Sequence, residues 1–362
     1  LFRARPIPTP NSDRIYLDHA ATTPLRPQAR AAMEEGFGLW ANPSSPHGEG
    51  RKARAALEDA RERIKTALGW TGELIFTSGA SEAAALALGR AKGGRSFVSA
   101  VEHDCLPQAA PGAEVLPVLA DGQLDLAALV EAIGADRPIV AVQQVNSETG
   151  NRQAIEPIHE RVSDAGGLLI ADCAQAAGKL TILPCDMAMI AAHKFGGPIG
   201  IGALLVRDFA MLEPSGGHER GYRRGTENLP GVFGMAAALE ACSESYLDED
   251  VLRAFDAFER ECRSAGGTPL SDRLSDPTPY IRAIAMPNLS ATAQVMRFDM
   301  AGIAVSQGSA CSSGTMKTSR VLDAMGVEPD IAANTIRVSL GWNTTRAEVE
   351  RFAETWLGMA RP

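Results

Sequence analysis

The sequence predicts an α/β protein: a large domain built on a mostly parallel sheet, with a smaller α+β domain attached. Three observations carry this. Short runs rich in branched apolar residues at 74–77, 96–101, 115–118, 139–145, 168–172 and 201–206 read as buried strands. Helix-like stretches at 82–90, 126–133 and 155–165 lie between several of them, the alternation of a doubly wound sheet. Past about residue 245 the pattern changes to a long charged helix at 248–265, a stretch rich in Pro and Asp at 271–279, and then mixed strands and helices.

Each element has a local reason. Ahead of the first strand, 49–69 places Ala53, Ala56, Leu57, Ala60, Ile64 and Leu68 on one helical face and stops at Gly69, an amphipathic helix with a glycine terminator. The Ala-rich run 83–87 suits close helix packing. A chain of 362 residues exceeds the roughly 250–300 at which a single core stops growing, so two domains are expected: 15–245, and 1–14 together with 246–362.

Composition narrows the function classes. With 45% hydrophobic and 22% charged residues the chain resembles ordinary globular proteins. A net charge of -9 with no basic face speaks against nucleic acid as a partner. The six cysteines are scattered, without the paired spacings of metal sites, so no metal is expected and a reducing cytoplasm fits best. No apolar run reaches the roughly 18 residues of a membrane span, and 1–10 holds three prolines rather than a signal core. The chain does not begin with Met, which leaves room for a trimmed leading segment.

Three constellations carry chemistry. In IAAHKFGGPIGIGALLV, Lys194 occupies a polar break between apolar segments and is followed by closely spaced glycines. A desolvated lysine bonds aldehydes, although in Gly-rich loops lysine is commonly a solvated charge. In LLIADCAQAAGK, Asp172 closes an apolar strand, where open α/β sheets bind ligands; it suits a protonated ring nitrogen or, equally, a simple turn. In LIFTSGASEAAALAL a strand turns through Ser81 into a helix, an anion site or a plain capping motif.

Taken in order with IYLDHAATTP, NPSSPHGEGR, VEHD, VNSETG, GGHERGYRRGTEN, SQGSACSSG and IRVSLG, these pieces are similar to the cysteine desulfurases (NifS/IscS-like) of the class V aminotransferase-like group, over nearly the whole chain. The resemblance implies a pyridoxal 5'-phosphate (PLP)-dependent transferase of fold type I. Its large domain would carry a mostly parallel seven-stranded sheet, and it would act as a homodimer whose sites draw on both subunits.

Carried over by position, the resemblance makes Lys194 the lysine that bonds the cofactor, Asp172 the partner of its ring nitrogen and Gln175 the donor to its ring hydroxyl. It makes His103 the histidine that stacks on the ring and moves protons. Ala80 and Ser81 match the phosphate turn, His193 the histidine before the lysine, and Thr226 the threonine that reaches the phosphate in the neighbouring subunit. Arg337 matches the arginine that grips the substrate carboxylate. Cys311, in QGSACSSG, matches the thiol that takes the sulfur; its polar neighbours argue for exposure, against the usual fate of a free cysteine as a small buried hydrophobe.

Three departures stand out. Ala191 replaces a phosphate-binding serine, and Ser147 stands where an asparagine usually approaches the ring hydroxyl. The chain ends at Pro362 without the longer tail of the housekeeping enzymes, so a different sulfur acceptor is expected. The implied reaction converts L-cysteine to L-alanine, with sulfur passed as a Cys311 persulfide to an acceptor protein for iron-sulfur cluster assembly or another thiolation pathway. Alternatives are a selenocysteine lyase, another lyase or aminotransferase of the same fold, or a catalytically silent scaffold subunit, for which Ala191 and Ser147 are the hints.

Overall fold

A computed structural model describes residues 14–134, 136–243, 245–308 and 319–361. Its main sheet has seven strands: β1 (Glu73–Thr77), β2 (Ser96–Ser99), β3 (Glu114–Leu116), β4 (Ile139–Gln143), β5 (Leu168–Asp172), β6 (Met187–Ala191) and β7 (Gly202–Val206). The spatial order is β1-β7-β6-β5-β4-β2-β3. Neighbours run parallel except at β7, which is antiparallel to both β1 and β6. The strand missing from the sequence reading is β6, whose MAMIA has Ile190 as its one β-branched residue.

Every residue of β4, β6 and β7 is buried, as expected of strands covered on both faces. Alternation divides them between two cores. Val140, Val142, Leu169, Ala171, Ala188 and Ile190 join one cluster, while Ile139, Ala141, Ile170, Met187 and Met189 join the other. The first cluster takes the apolar faces of α2 (Gly48–Leu68) and α6 (Leu229–Glu240); the second takes α3 (Ala80–Arg90). Two shorter helices, α4 (Leu126–Ile133) and α5 (Ile155–Asp164), stand where the sequence predicts them. Helix α1 (Pro27–Gly38) crosses α6 at Gly36, where a Cβ would stand 2.6 Å from the Pro230 Cα.

A second, antiparallel sheet has the order β10-β9-β8, from β8 (Thr268–Pro269), β9 (Ile281–Ala285) and β10 (Thr335–Ser339). Helices α7 (Glu249–Ser264) and α8 (Arg346–Ala360) meet beside it through an aromatic cluster. Phe258 lies edge-on to Phe352 at 5.1 Å and to Trp356 at 5.5 Å, geometry that aromatic quadrupoles favour. Ile15–Tyr16 pairs in parallel with Ile303–Ala304, and Asp18 bridges to Ser339. That pairing delivers residues 18–22 to the end of β10, next to the main sheet's C-terminal edge. Among the described residues no helix is long and apolar enough to cross a membrane.

Candidate active site

A cavity of about 750 Å³ opens beyond the C-terminal ends of β4, β5 and β6, the edge at which parallel sheets present ligand-binding groups. Ala80, Ser81, His103, Ser147, Asp172, Gln175, His193, Lys194 and Arg337 all line it. Nine positions spread over more than 250 residues of chain are thus brought to one space, counting from Ala80 to Arg337 in the numbering.

Lys194 ends a short 3-10 turn directly after β6. Its Nζ donates to the carbonyls of Ala20 at 2.6 Å and Ala21 at 3.0 Å, so the LDHAATTP segment holds the ammonium. Asp172, at the end of β5, is 7% exposed, and its Oδ1 accepts the Ala174 amide at 2.9 Å. Burial pushes this carboxyl up, while the Ala174 amide and the charges of His103 and Lys194 pull it back. Gln175 donates through Nε2 to the Ala20 carbonyl at 2.8 Å. His103 is exposed at the rim, and its Nδ1 accepts the Cys105 amide at 3.2 Å, which leaves the neutral ring's proton on Nε2. His193 faces the Thr22 hydroxyl at 3.2 Å, and burial, with Lys194 and Lys179 adding, lowers its pKa to about 4.

The anion end of the cavity is the start of α3. Its N-cap is Gly79, with no side-chain cap, and Ser78 to Glu82 line the cavity there. Free helix N–H groups facing a cavity suit a phosphate. Gly202 on β7 passes so close that a Cβ would stand 2.7 Å from the Gly79 Cα, so the glycines after Lys194 let two backbones meet beneath this turn.

At the opposite wall Arg337, 4% exposed on β10, donates to Asp18 Oδ1 and to the Ser147 carbonyl at 2.8 and 2.9 Å. What the structure shows of Ser147 is thus a backbone contact to Arg337. Arg337 Nε is buried with no partner among the described residues, an N–H that a carboxylate would satisfy. Beside it, Glu148 Oε2 accepts the Ser319 hydroxyl at 2.6 Å and lies against Gly308, where a Cβ would approach to 3.1 Å.

Two expected residues stand apart. Thr226 is exposed and does not line this cavity. Cys311 lies outside the described residues. Others were not anticipated. Glu102 lines the cavity beside His103, with Oε1 accepting the Gln143 amide at 3.0 Å and Oε2 without a partner among the described residues. Burial, with Asp172 adding, pushes its carboxyl well up. Its neighbourhood to His103 was the one available signal.

The donor set fits pyridoxal phosphate: a buried carboxylate, a lysine amine beyond the next strand, an amide between them and an uncapped helix N-terminus at one end. The class-V aminotransferase family model matches residues 15–352. A cysteine desulfurase of Cereibacter sphaeroides is 37% identical over 372 residues, covering 94% of both chains. Among solved structures, a NifS-like protein from Rickettsia africae aligns with TM-score 0.84 at 30% identity, over 94% of this chain and 98% of that one. SspA in complex with cysteine aligns with TM-score 0.78 at 30% identity, over 91% of this chain and 100% of that one.

Proposed function

The chain belongs to the class-V aminotransferase family and, within it, to the cysteine desulfurases, and from that premise we propose that it uses pyridoxal phosphate to move sulfur from L-cysteine to Cys311. The observation that carries this is the convergence of Lys194, Asp172, Gln175 and Arg337 on one cavity with an uncapped helix start.

Lys194 would hold the cofactor, Asp172 its ring nitrogen, Gln175 its ring hydroxyl and His103 its face. Ala80, Ser81 and His193 would hold the phosphate end, joined by Thr226 of the partner subunit, with Ser147 near the ring. When bound, the cofactor supplies a sink for the electron pair released as the substrate α-proton leaves.

The chain's own residues do the rest. Arg337 orients the substrate carboxylate; Asp18 and Ser147 already aim its guanidinium. Lys194 moves the α-proton and His103 serves as a second proton carrier at the rim. The Cys311 thiolate bonds to the substrate sulfur as the carbon–sulfur bond breaks, and the carbon takes up a proton. Cysteine and a thiol thereby become alanine and a persulfide. The five described cysteines suit this step poorly: burial is the leading cause that pushes each thiol up, to about 12 for Cys185 and Cys262, and further for Cys105.

A homodimer follows from the same reading. Thr226 does not line the cavity that holds Lys194 in its own protomer, and the turn it sits in leads into α6. Next to Gly36 and Pro198, which pack on α6 at Pro230 and Gly234, stand the exposed apolar side chains of Phe37 and Ile199, at 65% and 79% exposure, a surface that a second copy would cover. The persulfide would pass to an acceptor protein for iron-sulfur assembly or another thiolation pathway. Incubation of purified protein with L-cysteine and a thiol reductant should release alanine and sulfide in equal amounts; alanine without sulfide, or neither, would contradict the reading.

A further inference from the structure

A second lysine lies behind the cavity. Lys179 follows β5 by a short turn, and its Nζ donates to Gln175 Oε1 at 3.2 Å. The ammonium stands over the rings of Tyr280 at 5.0 Å and Tyr246 at 5.3 Å, both nearly buried, and Tyr280 Oη donates to the Gln175 carbonyl at 3.0 Å. No carboxylate pairs with it among the described residues. Burial, with the nearby Lys194 charge adding, brings this ammonium down to about 7.

The consequence falls on Gln175. An ammonium only donates and a carbonyl only accepts. With protonated Lys179 on one side and the Ala20 carbonyl on the other, the side-chain amide has a single orientation at pH values below about 7: Oε1 toward Lys179, Nε2 toward Ala20. Reversing it would set N–H against N–H and oxygen against oxygen. One Nε2 hydrogen goes to Ala20; the other is what Gln175 can offer within the cavity that it lines.

We infer that Lys179 is a positioning residue that locks the Gln175 amide with its nitrogen toward the cavity, so that this point accepts an oxygen anion and rejects a donor. The inference rests on the pyridoxal-phosphate reading, whose ring hydroxyl is the group Gln175 would meet.

The test is a double-mutant cycle on apoprotein, with PLP affinity read by equilibrium dialysis. Lys179→Met should weaken binding about tenfold, the worth of one mis-set hydrogen bond to a charged acceptor. In a Gln175→Ala background the same change should alter affinity less than about twofold, because no amide remains to be oriented. Lys179→Gln, which keeps an N–H donor, should recover part of the loss, and Lys179→Leu, which also lacks a donor, replaces Lys179→Met in the cycle if that variant does not fold. An equal loss in both backgrounds would overturn the inference while leaving the cofactor reading intact. Failure of the unaltered apoprotein to take up PLP would overturn the cofactor reading itself, and this inference with it.

Discussion

Arg61 and Glu219 form a buried two-point ion pair, Nη1 to Oε2 at 2.8 Å and Nη2 to Oε1 at 3.0 Å, with 2% and 1% of their side chains exposed. Glu219 Oε2 also accepts the Phe76 amide at 2.8 Å, so α2, β1 and the turn after residue 217 share one carboxylate. Glu219 and Arg220 hold φ of 47° and 56°, left-handed values that non-glycine residues adopt only when their surroundings enforce them. Further along, Arg223 reaches Glu82 at the start of α3 at 2.8 Å.

Glu219→Ala should therefore cost about 3–5 kcal/mol, the price of leaving a buried guanidinium unpaired, measured by urea denaturation of the apoprotein. Cofactor retention should fall with it, because the same turn carries Thr226. A loss below about 1 kcal/mol would mean the pair is not what holds the turn.

Lys194→Ala should abolish covalent attachment. Borohydride reduction and peptide mapping of the unaltered protein should mark Lys194 and leave Lys179 unmarked, since Lys179 faces Gln175 from behind the cavity wall. A label on Lys179 would reverse the two assignments.

Cys311→Ala should still bind cofactor and cysteine, yet release no alanine from cysteine. Without reductant, stoichiometric cysteine should add sulfur to the Cys311 peptide in the unaltered protein, and a thiol reductant should remove it. Cys105 is the sharpest control: it lines the cavity, but burial, with Asp172 and Glu102 adding, pushes its thiol strongly up. Sulfur found on Cys105 would refute the role of Cys311 and spare the cofactor reading.

Acid should destabilise the fold through His19. It is 1% exposed, and burial, with Lys179 adding, lowers its pKa to about 3 from an ordinary 6.5. The unfolded chain therefore binds the proton first, so stability present above pH 6.5 is lost as the pH falls toward about 3. His193 acts in the same direction down to about 4. His19→Gln should flatten the acid limb of stability against pH, measured by urea midpoints; an unchanged slope would show that His19 does not titrate across unfolding.

Much of this was legible in the sequence for identifiable reasons. Strand runs announce themselves through branched residues: Asp172 closes one such run, and Lys194 sits in a polar break ahead of another at 201–206. β6 escaped because alanine and methionine carry little strand signal. Helix α6 escaped because it is buried nearly all round, with Leu229, Val232, Met235, Ala236 and Leu239 all buried, so no amphipathic period marks it. The roles of Ala20 and Ala21 are relations between backbone carbonyls and distant side chains. Lys194 finds its carbonyl partners 174 and 173 residues away, and no local pattern encodes that. Glu102 offered only its place beside His103, since a buried acid and a solvated one look alike in sequence.

The carboxylate of Glu148 touches both Gly308 and Ser319, the residues on either side of the stretch that holds Cys311. A stretch whose two ends meet on one side chain can change length without moving what it is tied to. Each doubling costs only about 0.6 kcal/mol of closure entropy. Insertions or deletions between these anchors would therefore leave Glu148, and Arg337 beside it, in register with Asp172 across the cavity.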